Sequence, residues 1–217
     1  MVKVKICGIT NEADAIRACE AGADMLGFVF VESSPRCVPS KTVRDIASKV
    51  RALRKGSICL VGLFKDADRA LVESTVKECG LDHVQLHGDE TPEYCAFLKK
   101  SLGEVKIIKV FKVKKGILPC GVFTPEDYAE ADYYLFDAYH PELAGGTGKP
   151  FEWAGMGRQV KELLKPFLVA GGLNPGNVAD AMRFMHPYGV DVSSGVESAP
   201  GKKDTELLKE FIKNAKR

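Results

Sequence analysis

Leu26-Gly27-Phe28-Val29-Phe30 reads as nearly continuous apolar sequence inside a run from Met25 to Val31. Such a run marks a strand covered on both faces, as in a parallel sheet wrapped by helices. Outward from it, short apolar or β-branched runs alternate with stretches of helical period to the end of the chain. The strand candidates are Val2–Cys7, Met25–Val31, Ser57–Phe64, His83–Leu86, Val105–Phe111, Tyr133–Asp137, Phe167–Ala170 and Val190–Val192. Between them, Val43, Ile46, Ala47 and Val50, then Val178, Ala181, Met182 and Met185, then Leu207, Leu208, Phe211 and Ile212 recur at i, i+3/i+4 spacing, which gives each helix one face to bury. Thr91-Pro92, Thr124-Pro125 and Asn174-Pro175 each pair an N-cap side chain with a proline that needs no N–H partner in the first turn, so helices are expected to start there.

Eight such units in 217 residues average about 27 residues each, a lean (β/α)₈ TIM barrel with parallel strands. One barrel domain over residues 1–217 is the expected organisation. The rival, an open doubly wound sheet, calls for a G-x-G-x-x-G turn after the first strand, and Cys7-Gly8-Ile9-Thr10 is not that motif.

Hydrophobic residues make up 45% of the chain and charged residues 28%, with a formal charge of +2, an ordinary globular balance. That balance gives no electrostatic case for nucleic acid as a partner, since phosphate-backbone binding needs clustered surplus Lys and Arg. The apolar runs fall far short of the roughly 20 residues that span a bilayer. The start, Met1 to Cys7, alternates apolar and basic residues instead of presenting a signal-peptide h-region. Seven cysteines with no C-x-x-C spacing read as thiols in a reducing compartment, so a cytoplasmic, free-standing protein with a small-molecule substrate, as monomer or homodimer, is expected.

In a barrel of this kind chemistry collects where strands end, which selects Cys7, Arg36, Gln85, His87, Asp137, Asp191 and two small-residue clusters. Gly171-Gly172-Leu173-Asn174 and Ser193-Ser194-Gly195 follow strands seven and eight, where the backbone can approach an anion and helix starts, including one capped by Asn174, supply N–H donors. A phosphoester is therefore the expected substrate, although glycines there also serve as plain turn residues. Cys7 has the position of a base, and a helix start at Thr10 or Asn11 is expected to lower its pKa; a buried packing thiol is the plainer alternative. Asp137 ends the run Tyr133-Tyr134-Leu135-Phe136, whose apolar surface would favour a protonated carboxyl suited to a general acid; a loop-capping Asp is the alternative. Arg36 offers a fork for a carboxylate, and Gln85 and His87 face either a ligand or each other. The histidines form no spaced metal set, so no metal and no cofactor are expected. Going round the barrel from strand six to strand one passes strands seven and eight, which places the phosphate between an acid and a base.

Lys5-Ile6-Cys7-Gly8-Ile9-Thr10, Ser34-Pro35-Arg36, Val84-Gln85-Leu86-His87-Gly88, Leu135-Phe136-Asp137, Gly145-Gly146-Thr147-Gly148-Lys149, Ala170 to Asn177 and Asp191 to Glu197, together with the second-strand run, closely resemble the phosphoribosylanthranilate isomerase family of tryptophan biosynthesis. The likeness runs from residue 3 to the terminal helix. It implies a cofactor-free TIM barrel that carries out an Amadori rearrangement, with Cys7 as general base, Asp137 as general acid, Arg36 facing the anthranilate carboxylate and Asp191 near the substrate nitrogen. Two departures stand out: a loop over residues 138–144 that is slightly long, and Cys37 where the family often carries a bulky residue. Two rivals stay open at this level. One is a histidine-pathway Amadori isomerase, which resembles a two-fold repeat with Asp at the first strand end; the other is a phosphate-binding barrel without catalysis.

Overall fold

A computed structural model of the chain describes residues 1–53, 57–113, 117, 122–138, 156–157 and 159–217. Eight parallel strands close into a barrel in sequence order, β1 (Lys3–Cys7), β2 (Met25–Val29), β3 (Cys59–Phe64), β4 (His83–Leu86), β5 (Lys106–Val113), β6 (Tyr133–Ala138), β7 (Phe167–Ala170) and β8 (Gly189–Val192). Closure comes from β1 against β8, which aligns Lys5 with Asp191, while β2 on the other side aligns Gly27 with Cys7. Around the barrel lie α1 (Glu12–Ala21), α2 (Ser40–Leu53), α3 (Arg69–Cys79), α4 (Pro92–Leu102), α5 (Val178–Met185) and α6 (Thr205–Ala215). Among the described residues no helix is long and apolar enough to cross a membrane.

Strand periodicity sorts the side chains into two cores. Val4, Ile6, Leu26, Phe28, Tyr134 and Phe136 pack outward in one large buried cluster with the helix faces. Met25, Val61, Ile108, Val110, Leu135, Leu168 and Ala170 fill the barrel itself. The inward-facing rows then run out of apolar residues at the C-terminal rim and continue as polar ones, which is where the site lies.

β4 and β7 run as expected, the other strand ends shift by at most two residues, and three local expectations are corrected. Thr124-Pro125 opens only a single 3-10 turn, Pro125–Asp127, because β6 begins at Tyr133 and leaves no room for a crossover helix. Asn174 does not sit at the start of α5, which begins at Val178 after an extra turn. Leu207 is partly exposed, and Ala215 joins Leu208, Phe211 and Ile212 on the buried face of α6. The start at Thr91-Pro92 is as expected, with Thr91 Oγ1 accepting from the Tyr94 N–H at 3.3 Å.

Candidate active site

A cavity of about 740 Å³ opens at the C-terminal ends of the strands, lined by Cys7, Arg36, Gln85, His87, Asp137, Asp191, Gly171, Gly172, Ser193, Ser194 and Gly195 among others. Asn174 is the one predicted site residue absent from this lining. Its Oδ1 accepts from the Gly176 N–H at 2.8 Å, and its own N–H donates to Asn177 Oδ1 at 2.8 Å. These two N–H groups are thereby occupied within the turn, so Asn174 folds the loop after β7. The loops after β7 and β8 touch: a Cβ on Gly195 would strike the Leu173 carbonyl, so only glycine lets them close up into one wall.

The β1/β8 side is a packed charge network. Cys7 is 5% exposed, and burial pushes its thiol up more than the neighbouring Lys5 ammonium pulls it down. Helix α1 does begin where expected, with Asn11 as its N-cap accepting from the Asp14 N–H, but the expected lowering of the thiol is not found, because burial is the largest influence on it. Lys5 itself is fully buried and binds both Asp191 oxygens at 3.0 Å. Burial works against its charge, yet Asp191 and Cys7 outweigh that and leave its pKa raised.

Arg36 does not present a free fork. Its Nε and Nη2 donate to Glu197 Oε1 and Oε2 at 2.9 and 2.6 Å, which leaves the outer guanidinium edge for a ligand. Glu197 also accepts from Lys203 Nζ at 2.8 Å, a cross-strand pair in the short hairpin of β9 (Glu197–Ala199) and β10 (Lys202–Lys203). Burial alone would raise the Glu197 carboxyl, but Arg36 and Lys203 hold it below its ordinary value. Gly8 sits between this network and β1 with φ +73°, and a Cβ there would come within 2.6 Å of Arg36 Cδ.

The β4/β6 side is open. Gln85 Nε2 donates to His87 Nδ1 at 3.3 Å, and His87 Nε2 lies 3.4 Å from Asp137 Oδ2. With Nδ1 accepting, the ring carries its proton on Nε2, the nitrogen nearer the carboxylate. The Asp137 side chain is 24% exposed. The aromatic run before it does not enclose it, because Tyr134 and Phe136 alternate outward into the helix layer. From behind, the buried pair Lys109–Glu90 (2.6 Å) fixes this rim: Glu90 accepts from the N–H groups of Asp66 and Gly88, and Lys109 reaches the Gly88 carbonyl. The loop 138–144, except for the Ala138 backbone, and the Gly145–Lys149 motif lie outside the described residues.

Sequence reasoning missed Lys5, Glu197 and Lys203, as well as Lys65 and Lys112, which also line the cavity. Lys112 is the strand-pairing neighbour of Asp137. Three of these carried a signal. Lys5 stands two residues before Cys7 and so shares its face of β1, while Lys65 and Lys112 lie at or just past strand ends. The Glu197–Lys203 pair carried none, because a hairpin two residues deep assembles it.

The chain matches the family model for N-(5'phosphoribosyl)anthranilate (PRA) isomerase over residues 4–214. It is 46% identical over 217 residues to the N-(5'-phosphoribosyl)anthranilate isomerase of Pelobacter propionicus, covering all of this chain and 96% of that one. Among solved structures, the phosphoribosyl anthranilate isomerase of Thermotoga maritima superposes with a TM-score of 0.85 at 36% identity, over 100% of this chain and 99% of that one. A complex of the same kind of isomerase with reduced 1-(o-carboxyphenylamino)-1-deoxyribulose 5-phosphate gives 0.81 at 33% identity, over 100% and 99%. With the family model matched over residues 4–214 and 46% identity along the whole chain, the chain belongs to the N-(5'-phosphoribosyl)anthranilate isomerase family.

Proposed function

We propose that Asp137 and Cys7 are the acid and base with which this isomerase converts N-(5-phosphoribosyl)anthranilate into 1-(2-carboxyphenylamino)-1-deoxyribulose 5-phosphate in tryptophan biosynthesis. The observation that carries the reading is one cavity wall with a carboxyl at the end of β6, a thiol at the end of β1, and two touching small-residue loops at β7 and β8 between them. A phosphate seated on those loops holds a pentose with one reactive group on either flank. The outer edge of Arg36 then meets the anthranilate carboxylate beyond β1, and Lys65 and Lys112 add positive charge around a substrate that carries both anions.

Protonated Asp137 gives its proton to the furanose ring oxygen, and the C1′–O bond breaks. The anthranilate nitrogen takes the charge as an iminium, which acidifies the C2′ proton. Cys7 as thiolate accepts that proton, and the enolamine tautomerises to the ketone. The enzyme resets when the proton gained by the thiol is returned, through solvent, to the carboxylate. The substrate nitrogen is the electron sink throughout. His87 Nε2 stands 3.4 Å from Asp137 Oδ2, which leaves the other carboxyl oxygen to carry the proton toward the sugar.

The test is the fluorescence of phosphoribosylanthranilate. Its loss on adding the purified protein is expected, and neither a histidine-pathway isomerase nor a binding protein without catalysis would cause that loss. Unchanged fluorescence overturns the reading.

A further inference from the structure

The reaction needs Cys7 as a thiolate, yet burial pushes that thiol up. Something at the site must meet the charge when it forms. Four charged groups face Cys7: Lys5 from its own strand, Asp191 from β8, Lys203 from β10 and Arg36 from the loop after β2. With Glu197 behind them, the three cations exceed the two carboxylates by one charge. Arg36 and Lys203 are both spent on Glu197, at 2.6 and 2.8 Å. Lys5 is different. Its two bonds to Asp191 leave a third N–H, and Nζ and Cys7 Sγ crowd the same spot: a Cβ on Gly27 would lie 3.0 Å from Nζ and 2.9 Å from Sγ. A fully buried lysine that neither reaches the solvent nor fills apolar space has no reason to stand in a barrel strand as packing alone.

We propose that Lys5 is a positioning residue for the isomerase reaction: clamped on Asp191, its ammonium group directs its remaining N–H at Cys7 Sγ and supplies the counter-charge that lets the buried thiol act as a base. The proposal rests on the reading of Cys7 as the base. It assigns Asp191 a part as well, as the anchor that keeps the ammonium in place, and it explains the glycine at position 27, since any side chain there would separate Nζ from Sγ.

The experiment uses the full chain and a readout independent of turnover. The rate at which iodoacetamide modifies Cys7 is followed against pH by peptide mass spectrometry, with exposed Cys37 in the same molecule as internal reference. In Lys5→Met the Cys7 midpoint moves up by about one pH unit or more while that of Cys37 stays, and kcat falls with KM little changed. An unmoved Cys7 midpoint overturns the proposal. If the single variant does not fold because Asp191 is left unpaired, Lys5→Met/Asp191→Asn removes both charges. The midpoint still rises, since Lys5 acts on the thiol more strongly than Asp191, and a midpoint that stays or falls is the contrary result. A Cys7→Ser variant that kept its turnover would instead sink the base assignment, and that outcome is read separately from the alkylation curve.

Discussion

The two flanks of the cavity are built to opposite plans. On the β1/β8 flank Cys7, Lys5, Asp191, Glu197 and Lys203 are all buried or nearly so; Lys5 is tied to Asp191 at 3.0 Å, and Glu197 to Lys203 at 2.8 Å and to Arg36 at 2.6 Å. On the β4/β6 flank Asp137 is a quarter exposed and is held from one side by a histidine at 3.4 Å. A base that must carry negative charge out of water needs fixed counter-charges close by. An acid that must be reprotonated each cycle needs a route to solvent. The contrast follows from the proton traffic proposed for each flank.

The largest way to break this contrast is to remove the two groups themselves. Cys7→Ser and Asp137→Asn are each expected to lose about 10²–10⁴-fold in kcat while product still binds, the range for a single proton transfer. Near-normal turnover in either variant removes its assigned role. Next is the cost of disturbing the closed flank. Glu197→Gln leaves Lys203 buried beside a neutral amide, and a loss of about 3 kcal/mol in unfolding free energy at pH 7 is expected, read by urea denaturation. The pH dependence sharpens it. Because the folded Glu197 carboxyl is held low, its contribution is present above the unfolded value near 4.5 and is lost as the pH falls through the lowered folded value. The gap between the wild type and Glu197→Gln should therefore narrow in acid, and a gap that widens there contradicts the network. A smaller effect is expected at its edge: Arg36→Met raises KM about tenfold with kcat nearly intact, from loss of a charge-assisted contact. An unchanged KM sends the substrate carboxylate elsewhere.

The two flanks also differ in how much of them the sequence makes legible. The barrel is readable because buried parallel strands leave continuous apolar runs such as Leu26 to Phe30, and strand ends then point to Cys7, Gln85, His87, Asp137 and Asp191. Gln85 and His87 share one face of β4 and its end by period two, and His87 comes near Asp137 of β6 across the intervening β5. The contacts of the closed flank, unlike its residues Cys7, Arg36 and Asp191, are largely invisible. Lys5 looks like an ordinary basic residue alternating with Val4 and Ile6, and only barrel closure against β8 sets it on Asp191. Arg36 meets Glu197 across 161 residues of sequence, through a hairpin with no periodic signal. Asn174 departs from the expected helix start for a local reason: the Asn-Pro pair does cap a turn, but Gly176 follows and the regular helix waits until Val178.

The smallest expected effect tests the open flank through His87. Gln85 holds the imidazole at 3.3 Å, and its Nε2 stands 3.4 Å from Asp137, a long contact that constrains the carboxyl more than it binds it. His87→Asn shortens the side chain and releases Asp137 to turn, so kcat should fall by about tenfold or less, since one long polar contact is worth no more than about 1 kcal/mol. A loss matching that of Asp137→Asn would mean that His87 touches the reacting atoms itself, and the acid flank would then be as tightly engaged as the base flank. The contrast would also weaken if stability fell sharply, because the rim at His87 is secured from behind by Lys109 and Glu90, independently of the imidazole. A modest kcat loss at unchanged urea midpoint is thus the outcome that keeps the acid side an open, lightly held carboxyl.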